Sequence, residues 1–164
     1  MFTTYYLAHL KCNHCGTVSP KDASIHLHNK VCTEPLDMYL EKGAIIDIDL
    51  EDIAGDFYQI NKPTPSTRRI RCAELWGCNN CNNQNFAELV FLLRDEDAVL
   101  EDIREIELTP EYLDDLHYLT ENLNAWAGYF MDTPVFPSHH SNGLLEPTPE
   151  EIKKFREFLG RLQA

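Results

Sequence analysis

Short apolar runs and period-2 alternation mark this chain through about residue 108, and that pattern predicts strands. Thr3 to Leu10, carrying Tyr5, Tyr6 and Leu7, predicts the first strand. Ser24 to Val31 predicts another, with Ile25, Leu27 and Val31 alternating with His26, His28 and Lys30. Ile46 to Glu51 alternates strictly, which predicts a half-buried strand with an acidic outer face. Pro63 and Pro65 sit in a Thr- and Ser-rich loop. Arg68 to Trp76, Phe86 to Leu93 and Ala98 to Leu108 predict three further strands, the last two joined by a turn at Asp95-Glu96-Asp97.

Beyond residue 108 the period changes. Thr109-Pro110-Glu111 is a helix start, with Thr as N-cap, Pro at the first position and an acid in the first turn. Tyr112, Leu113 and Leu116 would line one face, and His117 would flank it. Leu123, Trp126, Ala127 and Phe130 form an i, i+3, i+4, i+7 stripe, expected to be core rather than an interface shared with Tyr129. Thr133 to Pro149 predicts an irregular loop, in which His139 and His140 are expected to be solvated. Thr148-Pro149-Glu150-Glu151 repeats the helix-start signal. Ile152, Phe155, Phe158, Leu159 and Leu162 then give the last helix an apolar face. The segregation of elements predicts an α+β fold: an antiparallel sheet part over 1–108 and a helical part over 109–164 packed on it, as one domain.

Two cysteine pairs share one local grammar: Cys12-Asn13-His14-Cys15-Gly16 and Cys78-Asn79-Asn80-Cys81-Asn82. Each is C-x-x-C followed by a residue that enters the left-handed backbone region readily. A metal knuckle needs that turn, because the chain must fold back to aim backbone amides at the thiolates. Four thiolates in two such pairs make the tetrahedral set preferred by structural zinc, so one zinc ion is expected on Cys12, Cys15, Cys78 and Cys81. Cys12, Cys15, Gly16, Cys78, Cys81 and Asn82, each pair between flanking strands, resemble the zinc-ribbon or rubredoxin-like family. The resemblance covers about a quarter of the chain and implies a split ribbon with a structural zinc site. Sixty-two residues separate Cys15 from Cys78, so the intervening loop must hold structure of its own.

Other uses of these residues stay open. Cys32 and Cys72 are expected in the core, with a ligand role as the alternative, and His14, His26 or His28 could replace a cysteine. A redox C-x-x-C needs a helix start, which Gly16, Thr17, Pro20 and the Asn79–Asn85 run disfavour. A catalytic zinc needs an open position and a neighbouring acid or base. No H-E-x-x-H, Walker, G-x-S-x-G or G-x-G-x-x-G motif occurs. Asp47, Asp49, Glu51 and Asp52 lack calcium-loop spacing and are expected to be solvated.

Charge changes the functional picture. The net charge is −13, and residues 83–164 hold seventeen acids against six bases. A nucleic-acid binder needs a basic footprint. The local basic cluster of Lys62, Arg68, Arg69 and Arg71, near Trp76, is expected to pair with acidic neighbours. No apolar run approaches the roughly 20 residues of a membrane span, and Met1 to Tyr5 lacks the regions of a signal peptide, so a cytoplasmic protein is expected. The expectation is a non-enzymatic, zinc-stabilised acidic protein that binds and inhibits a basic protein partner through Asp95, Glu96, Asp97, Glu101, Asp102, Asp114 and Asp115. In general character it resembles small immunity proteins that neutralise a toxin. A zinc-ribbon protein associated with nucleic acid and a metalloenzyme with an open zinc position are the alternatives.

Overall fold

Three long strands carry the structure: β6 (Arg69–Gly77), β7 (Gln84–Leu93) and β8 (Ala98–Ile106). β7 pairs antiparallel with both neighbours. This computed structural model describes residues 3–21, 25–28, 38–46, 57–64, 66–131 and 147–162. The remaining strands are β1 (Thr3–Leu7), β2 (Ile25–His28), β3 (Met38–Glu41), β4 (Ile45–Ile46), β5 (Phe57–Gln59) and β9 (Tyr118–Thr120). They form a three-stranded sheet ordered β2-β1-β3 and a six-stranded sheet ordered β4-β8-β7-β6-β9-β5. Helices α1 (Glu121–Met131) and α2 (Pro149–Leu162) follow.

The large sheet is covered on both faces. On one, Ile70, Cys72, Trp76, Leu89 and Phe91 share a core with Tyr6, Ile25 and Leu40 of the small sheet. On the other, Ala73 packs with Leu123 and Ala127 of α1 and Phe155, Phe158 and Leu159 of α2, against Phe86 and Ile106. Each large apolar side chain so buried contributes roughly 1.5–3 kcal/mol. β8 changes register part-way along its pairing with β7. Phe91 pairs with Leu100 but Leu89 with Ile103, so one extra residue of β8 bulges between them. Leu100 and Ile103, an odd number of residues apart, thereby reach the same core.

The α+β class and the helical covering of the sheet are as expected from the sequence, but the sheets are mixed. β1 pairs parallel with β3, and β6 parallel with β9. The helix expected from Thr109 is a correction. Thr109 Oγ1 does accept the Tyr112 amide at 3.0 Å, yet only one 3₁₀ turn forms, Glu111–Asp114. The Leu113 carbonyl, which a continuing helix would pair with the His117 amide, instead accepts from Asn61 Nδ2 at 2.6 Å. The His117 amide goes to the Arg71 carbonyl at 3.2 Å, and the chain enters β9 inside the large sheet. His117 therefore flanks no helix; its Nδ1 accepts the Arg71 amide at 3.0 Å.

Thr148 and Glu151 form a reciprocal capping box for α2, with Glu151 Oε1 accepting the Thr148 amide at 2.8 Å and Thr148 Oγ1 the Glu151 amide at 3.2 Å. In the stripe on α1, Leu123 and Ala127 are buried and Trp126 packs edge-on against Phe86 and Phe158. Phe130 corrects the all-core expectation: it is 55% exposed, and Tyr129 81%. Expected strand residues 47–51, the acid Asp52, the loop at 133–146 and Cys32 lie outside the described residues, as do the side chains of His26 and His28.

Candidate metal centre

Each cysteine pair sits at the tip of a small hairpin, and the two tips have the same construction. Lys11 bridges Val18 across the first, and Gly77 pairs with Gln84 across the second. In each, the amide four residues after the first cysteine donates to that cysteine's carbonyl: Gly16 to Cys12 at 3.0 Å, Asn82 to Cys78 at 2.8 Å. In each, the first cysteine's own amide donates to the carbonyl five residues on: Cys12 to Thr17 at 2.9 Å, Cys78 to Asn83 at 3.0 Å. The turn needs a left-handed residue, and Gly16 (φ 76°) and Asn82 (φ 61°) supply it.

The tips meet. All four sulfurs of Cys12, Cys15, Cys78 and Cys81 lie within 4.8 Å of one another. The closest pairs cross between hairpins: Cys12 to Cys81 and Cys15 to Cys78, each at 3.6 Å. Metal–sulfur bonds of about 2.3 Å in a tetrahedron would set sulfurs about 3.8 Å apart, so this donor set fits a tetrahedral ion. Cys12 and Cys78 are buried in the core, Cys81 is half-buried and Cys15 is exposed.

The surroundings of the first pair favour thiolate, whereas Cys78 is held above its usual range: the Cys81 and Asn80 amides favour its ionisation, but burial and the neighbouring Cys15 and Cys81 thiols outweigh them. Cys15 Sγ lies 3.3 Å from Thr17 Oγ1 and 3.5 Å from Asn80 Nδ2. The Thr17 hydroxyl and the Asn80 amide pull its thiol down to about 5. Around Cys12, burial opposes ionisation, but the Cys15 and His14 amides and Asn85 outweigh it and lower the thiol below its usual range. A ligating thiol must be deprotonated, so these hydrogen bonds prepare the site for a cation.

The other candidate ligands stand apart. His14 Nε2 lies 3.2 Å from the Gln84 carbonyl oxygen, which can only accept, so that nitrogen carries the proton. Cys72 lies fully buried in the core, where burial, then Glu88 and Glu74, push its thiol up and keep it neutral.

The acids expected to meet a partner are largely engaged within the chain. Asp95 pairs with Arg68, Asp97 with Arg94, Glu101 with Arg69, Asp102 with Lys42 and Asp114 with Arg156. Glu96 and Asp115 carry no ion pair among the described residues, and both are exposed. The same pairs occupy Arg68 and Arg69 of the basic cluster, and Arg71 binds Glu88, while Lys62 is exposed with no ion pair among the described residues; Trp76 is buried with Nε1 donating to the Phe86 carbonyl at 3.3 Å.

Glu74 and an asparagine set were not singled out as functional from the sequence, and Glu88, expected to head an acidic stretch (Glu88 to Glu121) facing the partner, is instead buried and paired within the chain. Glu88 is fully buried within the apolar β7 and is held by Arg71, Arg104 and the Tyr112 hydroxyl. Burial opposes its ionisation, but these partners outweigh it and keep it below the usual carboxylate range. Glu74 is equally buried; its Oε1 accepts from Thr120 Oγ1 at 2.8 Å and the Leu75 amide at 2.7 Å, while Oε2 has no hydrogen-bond partner among the described residues, though the nearby Asn122 side chain also favours the carboxylate. Asn80, Asn83 and Asn85, read from the sequence only as part of a polar loop, reach the sulfurs; the signal was a carboxamide-rich run beside a C-x-x-C.

Searches against protein-family models, curated proteins and solved structures return no match. No helix among the described residues is long and apolar enough to cross a membrane.

Proposed function

We propose that the chain is a zinc-stapled, non-enzymatic binding protein whose acidic surface recognises a basic protein partner. The observation that carries the staple is the four-sulfur set itself, closed by two like-built hairpins. Four thiolates fill the coordination sphere of structural zinc and reserve no position for a substrate. A bound zinc would supply folding energy here, tying the hairpin after β1 to the one joining β6 and β7.

Charge supports the partner reading. The chain carries 27 acids against 14 bases, so an acidic excess survives the ion pairs just described. Such a field speeds encounter with a basic surface. The engaged arginines and buried Trp76 favour this over a nucleic-acid surface, which needs free cations and exposed aromatic rings.

The discriminating experiment starts with native mass spectrometry of the protein withdrawn gently from its own lysate. One zinc and one stoichiometric basic protein are expected. Association with that protein should slow as salt rises. The pair Glu96→Lys and Asp115→Lys, which breaks no ion pair seen in the described residues, should slow it roughly 5–10-fold at low salt. Association rates unaffected by both salt and charge reversal would remove the electrostatic mechanism.

A further inference from the structure

The sulfurs are approached by side-chain carboxamides as well as backbone amides. Asn80 Nδ2 reaches Cys15 Sγ at 3.5 Å and Thr17 Oγ1 at 3.1 Å. Asn83 Nδ2 reaches Cys81 Sγ at 3.3 Å, and Asn85 Nδ2 reaches Cys12 Sγ at 3.3 Å. Two of these three cross between hairpins: asparagines of the second loop serve sulfurs of the first. Asn85 is the most constrained. It is 3% exposed, its Nδ2 also meets the Asn83 carbonyl at 3.3 Å, and its Oδ1 accepts the Asn13 amide at 3.0 Å. One carboxamide thus holds the backbone of the first knuckle and donates to that knuckle's buried sulfur from a residue of β7.

We propose that Asn85 is the positioning residue of the metal centre, making closure of the first knuckle depend on the second while drawing charge off the Cys12 thiolate. This rests on the metal reading above. Four thiolates around a divalent cation leave a net charge of about −2, which a half-buried site must offset with donors. A carboxamide does so without adding a titrating group. It also fixes the direction of the sulfur lone pairs, because Asn85 is itself pinned at both its oxygen and its nitrogen.

The test uses cobalt(II) as the probe in the full-length protein. Wild type should show thiolate-to-cobalt charge-transfer bands typical of four sulfur ligands. Asn85→Asp keeps the shape but replaces the donor with a carboxylate. It should weaken cobalt binding, measured by chelator competition, roughly 10–100-fold. The charge-transfer bands should also move to longer wavelength, since a thiolate that loses a hydrogen bond is easier to oxidise. Asn79→Asp adds the same charge nearby at an exposed residue for which no sulfur bond is seen, and should change neither quantity. Asn83→Asp, at an exposed position, should shift the bands in the same direction and covers the case in which the Asn85 variant fails to fold. Variants at Asn85 and Asn83 that match wild type in band position would overturn the proposal. So would an Asn79 variant as impaired as the Asn85 one. A wild type without a four-sulfur cobalt spectrum would overturn the metal reading and this inference together, whereas a normal wild type with unaltered variants removes this inference alone.

Discussion

Cys12→Ser and Cys78→Ser should each abolish stoichiometric metal binding and lower the thermal midpoint by about 8–16 °C. That range corresponds to the roughly 4 kcal/mol a ligand contributes at a thousandfold excess over its Kd, in a chain of this length. Cys12 and Cys78 are core residues as well as candidate ligands, in one cluster with Trp76 and Leu10. In either variant one sulfur pair would remain, Cys15 and Cys78 or Cys12 and Cys81, 3.6 Å apart with no cation between them. A chelator should bring wild type down to the midpoint of Cys15→Ser, with Cys12→Ser and Cys78→Ser lower still through their buried hydroxyls, and should leave all three variants unmoved. Two controls separate ligation from burial. Cys15→Ser changes an exposed ligand and should lose metal with little effect on packing. Cys72→Ser changes a buried residue outside the cluster; it should keep the metal while lowering the midpoint through a buried hydroxyl. A wild type whose melting ignores the chelator would sink the staple.

The second large effect concerns Glu74. Burial without charge pairing raises its carboxyl to about 8, from 4.5 for the free group. The sign follows from proton uptake. Below about pH 4.5 the carboxyl is protonated in folded and unfolded chains alike, and its contribution is fully present. Between there and about pH 8 the unfolded chain ionises and the folded one does not, so stability falls as pH rises. Above the folded value the loss levels off. Glu74→Gln imitates the protonated side chain and cannot titrate. The two proteins should be similar at pH 4, and the variant should be the more stable by on the order of 4 kcal/mol at pH 9. Denaturant unfolding of both proteins at the same total metal concentration at pH 4, 6.5 and 9 measures this, because the pH dependence of metal binding is common to both and cancels in the difference. Parallel stability profiles would show that Glu74 is ionised in the fold, by solvation or by a partner.

Much of the larger sheet was legible because its strands state their period locally. Residues 69–77, 84–93 and 98–106 lie within a residue or two of the expected spans. Thr3–Leu7 and Ile25–His28 lie within longer expected spans, but three other short strands were not legible. Tyr118–Thr120 has three residues, all buried, and follows an apparent helix start. It is a strand because β6 and β5 offer backbone partners on either side, in one parallel and one antiparallel pairing. Met38–Glu41 and Phe57–Gln59 were missed for the same reason. An interval of three or four residues is too short to show a period.

The candidate site divides along the same line. The C-x-x-C spacing and the left-handed residue after it are local requirements of the knuckle, so Cys12, Cys15, Cys78 and Cys81 could be named from the chain alone. Their convergence across sixty-two intervening residues is a property of the packed hairpins. The same holds for Asn85, an undistinguished polar residue until β7 places it beside Cys12. It holds for Glu88 too, whose arginines come from the two neighbouring strands. Acidic composition was plain in the sequence, but which acids remain free was decided by side chains meeting across strands. That leaves Glu96 and Asp115 without an ion pair among the described residues, where Asp95, Asp97, Glu101, Asp102 and Asp114 are engaged. Period, capping and turn chemistry act over a few residues and are written in the chain. Ligand convergence, buried charge and strand order depend on contacts between distant segments, which only the folded backbone brings within hydrogen-bond reach.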